Sequence, residues 1–181
     1  VTSILTTLGT QREELNADNL DLLLSYDPEK TMSFLHDPNG KTYDLIHLGN
    51  KGYNLTKLHA VGIRVPPGFV ISTEYYRCRR VIEIFHQSSE DFENRVMDQI
   101  KRLEQATDRC FGCPDRSLLL SVRSGSAVSM PGMMNTFLNV GITEKALPGM
   151  EKLFGRRAAD MMYLNNLKNL LVALGEETGP A

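Results

Sequence analysis

Short apolar runs ending in polar, glycine-bearing tips fill the first half of this chain, and two long stretches of helical period follow. The opening pattern predicts a short helix, with Asp18 or Asn19 as cap and Leu20, Leu22, Leu23 and Leu24 as its apolar cluster. Asp27-Pro28 and Asp37-Pro38-Asn39-Gly40 then punctuate a turn-rich piece. Residues 43–48 read as a strand that ends at Gly49-Asn50-Lys51-Gly52. Leu55, Leu58 and Val61 recur at helical spacing over residues 54–61, with Gly62 as a stop. After the stiff turn Val65-Pro66-Pro67-Gly68, residues 69–73 form a β-rich strand.

Thr73 is the expected cap of a helix that includes residues 81–85. Over residues 89–110, Phe92, Val96, Ile100 and Leu103 mark one face of a longer helix. Residues 118–124 predict a buried strand with a polar tip, residues 129–135 a loop, and residues 136–140 a returning strand. Met162, Leu167, Leu170, Leu171 and Leu174 pattern a last helix over residues 158–174 that is either core or an interface, closed by Gly175. The alternation predicts an α+β or α/β class. The expected organisation is an N-terminal helical and loop extension over 1–42, followed by one domain over 43–181.

Charge narrows the function classes. The chain has 181 residues and a formal net charge of −2, with a pI near 6.1. No global basic field draws it to nucleic acid or to an anionic membrane. No apolar run approaches the roughly 20 residues of a membrane helix, and residues 1–8 lack a basic signal region. Three cysteines cannot all pair with one another, which favours a reducing, cytoplasmic setting without a disulfide framework. A small anionic ligand needs only local charge and stays within reach.

Two segments offer that local charge. In Gly49-Asn50-Lys51-Gly52, two glycines let backbone approach a ligand, and Lys51 adds a cation where a helix begins. Phosphate binding is one use of such a turn; a glycine-bounded turn with a solvated lysine is the other, since the motif is neither a Walker A nor a dinucleotide fingerprint. Arg123 stands at the exit of the Leu118-Leu119-Leu120-Ser121-Val122 run and precedes Ser124, Gly125, Ser126 and Ser129. Its planar fork suits phosphate oxygens, while a structural carboxylate is the competing partner. Met130-Pro131-Gly132-Met133-Met134 supplies soft thioethers that either line an adenine slot or fill a core.

Taken in order, Leu48-Gly49-Asn50-Lys51-Gly52-Tyr53-Asn54-Leu55, Val65-Pro66-Pro67-Gly68-Phe69, Ser121-Val122-Arg123-Ser124-Gly125 and Ser129-Met130-Pro131-Gly132-Met133-Met134-Asn135-Thr136 resemble the N-terminal nucleotide-binding part of the pyruvate phosphate dikinase family. The wider family includes phosphoenolpyruvate synthase, and the methionine run points to the dikinase branch. The resemblance covers residues 45–140. It implies an α+β ATP-grasp N-terminal subdomain, with a mixed or antiparallel sheet and packed helices, that binds ATP. Such enzymes phosphorylate a histidine on a swivelling domain, and the phosphoryl group passes to pyruvate to give phosphoenolpyruvate, or the reverse. By position, Lys51 matches a lysine on the nucleotide phosphates and Arg123 the arginine that stabilises the transferring phosphoryl groups. Gly132, Met133, Met134 and Thr136 match the loop that closes over ATP.

Magnesium ligands in this family come from the second ATP-grasp subdomain, so none is expected in this chain. The second subdomain and the phosphohistidine domain are the implied partners, and the isolated chain is expected to be inactive. Lys51 and Arg123 must then converge on one triphosphate across some seventy positions of sequence. The chain also departs from the family words. Asn50 replaces the second glycine of GGKG, Ser126-Ala127 stands where VRSGAR carries a second arginine, and Asn135 occupies a usual Asp position. A non-catalytic nucleotide-sensing relative and a purely structural interaction domain are the competing readings.

Other chemistry-bearing residues read plainly. Cys110-Phe111-Gly112-Cys113 has the spacing of half a zinc site or a redox pair. With no second pair, it reads as two coincidental thiols near a turn. His36, His47, His59 and His86 show no ligand spacing, and none lies in a segment like the family's phosphocarrier loop. Arg77, Arg79 and Arg80 read as a solvated helix face.

Overall fold

A computed structural model describes residues 21–22, 24–36, 44–124 and 136–177. The chain divides into two units, Val1–Gln99 and Ile100–Ala181. The elements are of mixed α+β type, with short strands paired two by two.

In the first unit, β1 (Met32–Phe34) pairs antiparallel with β2 (Phe69–Ile71), in the register Met32↔Ile71 and Phe34↔Phe69. Residues 32–34, which fall in the expected N-terminal extension, thus supply a sheet partner to this unit. Helix α1 (Leu45–Ala60) packs against β2 and against α2 (Thr73–Ile84). Helix α3 (His86–Thr107) follows, its residues from Ile100 onward counted in the second unit. Phe34, Leu35, Leu48, Val65, Cys78, Val81 and Ile82 are buried.

Of the expected strand over residues 43–48, residues 45–48 instead form the first turn of α1 and Asp44 is its cap, while Tyr43 lies outside the described residues. The cause is the cap: the Asp44 carboxylate accepts from the His47 backbone N–H at 3.0 Å and meets the His47 ring Nδ1 at 2.7 Å. An N-cap with a partner already in place outweighs the weak strand preference of a short apolar run. At the other end the helix stops as its glycine predicts, with Val61 as cap and Gly62 at φ 82°.

Ser72, not Thr73, caps α2. Its hydroxyl accepts from Glu74 N at 3.1 Å and donates to the Lys30 carbonyl at 2.6 Å. Thr73 donates to the Ile46 carbonyl at 2.9 Å, which ties the start of α2 to α1. The arginine run is also more than a solvated face. Arg77 donates twice to the buried Glu74 carboxylate, at 3.0 and 2.7 Å, and also reaches the Ser25 hydroxyl and carbonyl. Arg79 meets Glu83 at 2.6 Å.

In the second unit, β3 (Cys110–Phe111) pairs parallel with β4 (Ser117–Leu118). Strand β5 (Leu120–Arg123) pairs antiparallel with β6 (Thr136–Val140). The single buried strand expected over 118–124 is therefore two short strands, and from Ser121 onward its residues are exposed. Helices α4 (Leu147–Phe154) and α5 (Arg156–Glu177) complete the unit, α5 packing on α4 and β6. Ile142, Met150 and Ala159 form the core, with Leu119, Leu147, Met162 and Tyr163 against it. Of the α5 positions read as core or interface, Met162 packs on the core, whereas Leu167, Leu170, Leu171 and Leu174 are exposed.

The two cysteines of the C-x-x-C turn are joined in a disulfide, against the reading of them as coincidental thiols. Gly112 adopts φ 72°, a left-handed turn conformation, and the Cα atoms of Cys110 and Cys113 stand 5.4 Å apart. That separation lies within the range a disulfide spans. Cys78 is free and buried.

Candidate functional site

Lys51 owes its place to a break in α1. Gly49 sits at φ 67° and ψ 170° inside an otherwise helical segment. That region of backbone space is essentially restricted to glycine. Lys51 therefore lies in the first turn of the helical stretch that resumes after the break, where N–H groups lack partners from a preceding turn. Asn50 and Asn54 bond through their side chains at 2.9 Å along this turn. Lys51 is exposed and makes no ion pair with any described residue.

The two glycines of the motif have different work. A Cβ at Gly49 would meet nothing within 4 Å, so the backbone angle alone demands glycine there. A Cβ at Gly52 would come 3.0 Å from Val70 Cγ2 and 3.3 Å from Leu48 Cβ. Gly52 is buried and lets α1 lie close against β2; its role is packing rather than ligand access.

Arg123 ends β5 and is paired across the ladder with Thr136, the first residue of β6. Val122 faces Phe137 and Leu120 faces Val140, with a register shift between them. Arg123 and Thr136 thus stand side by side at the end of the described ribbon. Both are exposed, and Arg123 makes no ion pair with any described residue. Gly132, Met133 and Met134, the remaining candidates, lie outside the described residues, as do Ser126, Ala127 and Asn135. Lys51 belongs to the first unit, and Arg123 and Thr136 to the second.

Residues that hold this ribbon escaped the sequence reading. Asn166 on α5 is buried and donates through Nδ2 to the Leu138 carbonyl at 3.0 Å. The sequence carries no signal that separates it from Asn165 and Asn169 in the same helix. Gly141, just after β6, sits at φ 100°, and a Cβ there would lie 2.7 Å from Phe111 Cδ2 and 2.9 Å from the Leu118 carbonyl oxygen. Asn139 takes a left-handed φ of 59° in the same strand. The histidines serve local structure: His47 in the α1 cap, and His36 on the Val65 carbonyl at 2.8 Å.

Among the described residues, no group of three or more His, Cys, Asp or Glu is placed to hold a metal ion. No described helix is long and apolar enough to cross a membrane. Within the second unit, an arginine fork with a threonine hydroxyl beside it is a pairing that suits an anion with several oxygens.

No family model matches the chain. Among curated proteins it is similar to enzymes named pyruvate, phosphate dikinase. Pyruvate, phosphate dikinase 2 of Zea mays is 42% identical over 112 residues, 62% of this chain and 12% of the relative. The enzyme of Rhizobium meliloti (strain 1021) is 42% identical over 124 residues, 68% of this chain and 13% of the relative. That of Entamoeba histolytica is 40% identical over 106 residues, 59% of this chain and 12% of the relative. The chain is dikinase-related, and it spans about 12% of the length of these curated relatives.

Proposed function

We propose that this chain is the ATP-binding part of a dikinase-type phosphotransferase, a first ATP-grasp subdomain over residues 43–181 preceded by an extension over 1–42. The identity of about 40% to pyruvate, phosphate dikinases carries the reading. In it, Lys51 and Arg123 bind the nucleotide phosphates, and Gly132, Met133, Met134 and Thr136 close over the nucleotide. The absence of a carboxylate partner for Arg123 among the described residues supports this role over a structural ion pair. Phosphoryl transfer asks mainly for positioning and for positive charge on phosphate oxygens. ATP supplies the phosphoryl group, and Mg2+ would be held by acidic residues of a second subdomain. That subdomain, a phosphohistidine domain and a cytoplasmic setting belong to the same proposal.

Calorimetric titration of the chain with Mg-ATP tests it. Arg123→Ala and Lys51→Ala should each weaken binding about tenfold or more, the loss of one charge-assisted contact, while leaving the melting temperature near wild type. Absence of binding in both the wild-type chain and the full-length protein, or equal loss of binding and folding in Arg123→Ala, overturns the reading. Binding without transfer is the second reading, favoured by Asn50 and by Ser126-Ala127 in place of the family's second arginine. Phosphohistidine formation from labelled ATP in the full-length protein separates the two.

A further inference from the structure

We propose that the Cys110–Cys113 disulfide is a reversible thiol–disulfide site, and that its closed form orders the turn that seats Phe111 against Gly141. The inference is independent of the nucleotide reading. Three observations carry it.

The bridge closes a loop with only two residues between its cysteines. Loop-closure stabilisation grows with the length enclosed, so this bridge gains little as a staple. Both cysteines are half-buried rather than sealed, so a reductant can reach them. The third thiol, Cys78, is fully buried, and burial pushes its pKa up; it is poorly placed to exchange with them.

The turn is also wired to its surroundings. Phe111 N donates to Glu104 Oε1 at 2.7 Å, and Cys110 N donates to the Arg116 carbonyl at 3.0 Å. The Ser117 hydroxyl donates to the Cys113 carbonyl at 2.6 Å. Phe111 lies between the two cysteines, and its ring edge covers Gly141 so closely that no Cβ fits there. Gly141 directly follows β6. Opening the bridge therefore loosens the seat of the ring that abuts the β5–β6 ribbon.

The chemistry needs a dithiol. A thiolate of the reductant attacks one cysteine sulfur, the S–S bond breaks, and a mixed disulfide forms while the released cysteine takes up a proton. The second thiol of the reductant then displaces the other cysteine, which is protonated in turn. The reductant leaves as its own disulfide, and two electrons and two protons have passed to the protein.

Protein purified without reductant is treated with iodoacetamide under native conditions and mapped by mass spectrometry, before and after dithiothreitol and again after oxidised glutathione. The expected result is no label on Cys110 or Cys113 at first, label on both after dithiothreitol, and renewed protection after glutathione, with Cys78 unlabelled until the protein is denatured. Hydrogen exchange should then be severalfold faster at residues 110–118 and 136–142 in the reduced protein, and unchanged over 73–84. A Cys110→Ser/Cys113→Ser double variant should match the reduced form. Labelling of both cysteines in the unreduced protein that oxidised glutathione does not prevent overturns the proposal. So does a bridge that opens only in denaturant, or identical exchange in the two states.

Discussion

The two candidate cations are mounted on unlike frames. Lys51 rides a helix whose break at Gly49 is local: the angle of one residue sets where the lysine stands, and neighbouring turns are held by bonds close in sequence, such as Asp44 with His47 and Asn50 with Asn54. Arg123 ends a strand that is held by β6, and β6 is held by residues far along the chain, Asn166 on α5 and the Phe111 edge over Gly141. On the helical mount the backbone angle of Gly49 adds a local sensitivity to the packing of α1 on β2. A ribbon mount spreads its sensitivity over distant contacts, each of which shifts the arginine if lost.

Substitutions can break that contrast, beginning with the largest expected effect. Gly141→Ala combines a left-handed φ with overlap on Phe111 and the Leu118 carbonyl; we expect about 3 kcal/mol or more of destabilisation in urea unfolding. A loss near zero would mean the ribbon is not fixed from this side. Next, Glu74→Gln removes the charge that Arg77 and Asp27 N share, for about 2 kcal/mol after allowing for the partly exposed Arg77.

The Glu74 change carries a pH signature. Hydrogen bonding from Arg77, against the opposing effect of burial, holds the Glu74 carboxyl below its ordinary value. A depressed folded-state pKa gives stability that is complete above the unfolded value, about 4.3 for glutamate, and lost as pH falls through the folded one. Wild type should therefore lose this stabilisation below about pH 4.3, and the gap between it and Glu74→Gln should narrow there. A gap constant down to the acid transition would show that the ion pair does not stabilise the fold.

Smaller effects sharpen the comparison. Gly49→Ala has room for its methyl but not the backbone angle, so a loss of about 1.5 kcal/mol is expected from strain alone. In thermal melts, Asn166→Ala should cost about 1 kcal/mol for one hydrogen bond. Exchange at the 136–140 amides should rise with it; unchanged exchange would remove Asn166 from the support of the ribbon.

Much of the second unit's order was legible because its signals are local: an apolar run, a polar loop and a return strand gave β5 and β6. The segment before Gly49 was not. Leu45-Ile46-His47-Leu48 alternates too little to separate helix from strand, and Asp44, the decisive signal as a cap, lay inside the segment read as strand. The burial of β5 was misjudged for a related reason: a continuous apolar run suits either a buried strand or an exposed pair, and composition does not tell which face is covered. The leucines of α5, read as core or interface, are exposed, and the covered side runs through Ala159, Met162, Tyr163 and Asn166. Of the candidate site, residue types and spacing could be read, and the Arg123–Thr136 pairing followed from the ladder. The Gly52 packing role and the Gly141 contact could not, because both depend on partners that meet only in the folded chain.

Gly49 also has a consequence for how the chain tolerates variation. A library randomised at that codon and ranked by stability should place glycine first, although the space around it is empty. Randomised beside it, residue 50 should accept many letters, its exposed side chain bonded to a neighbour one turn away. The familiar link between crowding and intolerance is reversed at this turn: the freest spot in volume is the strictest in spelling.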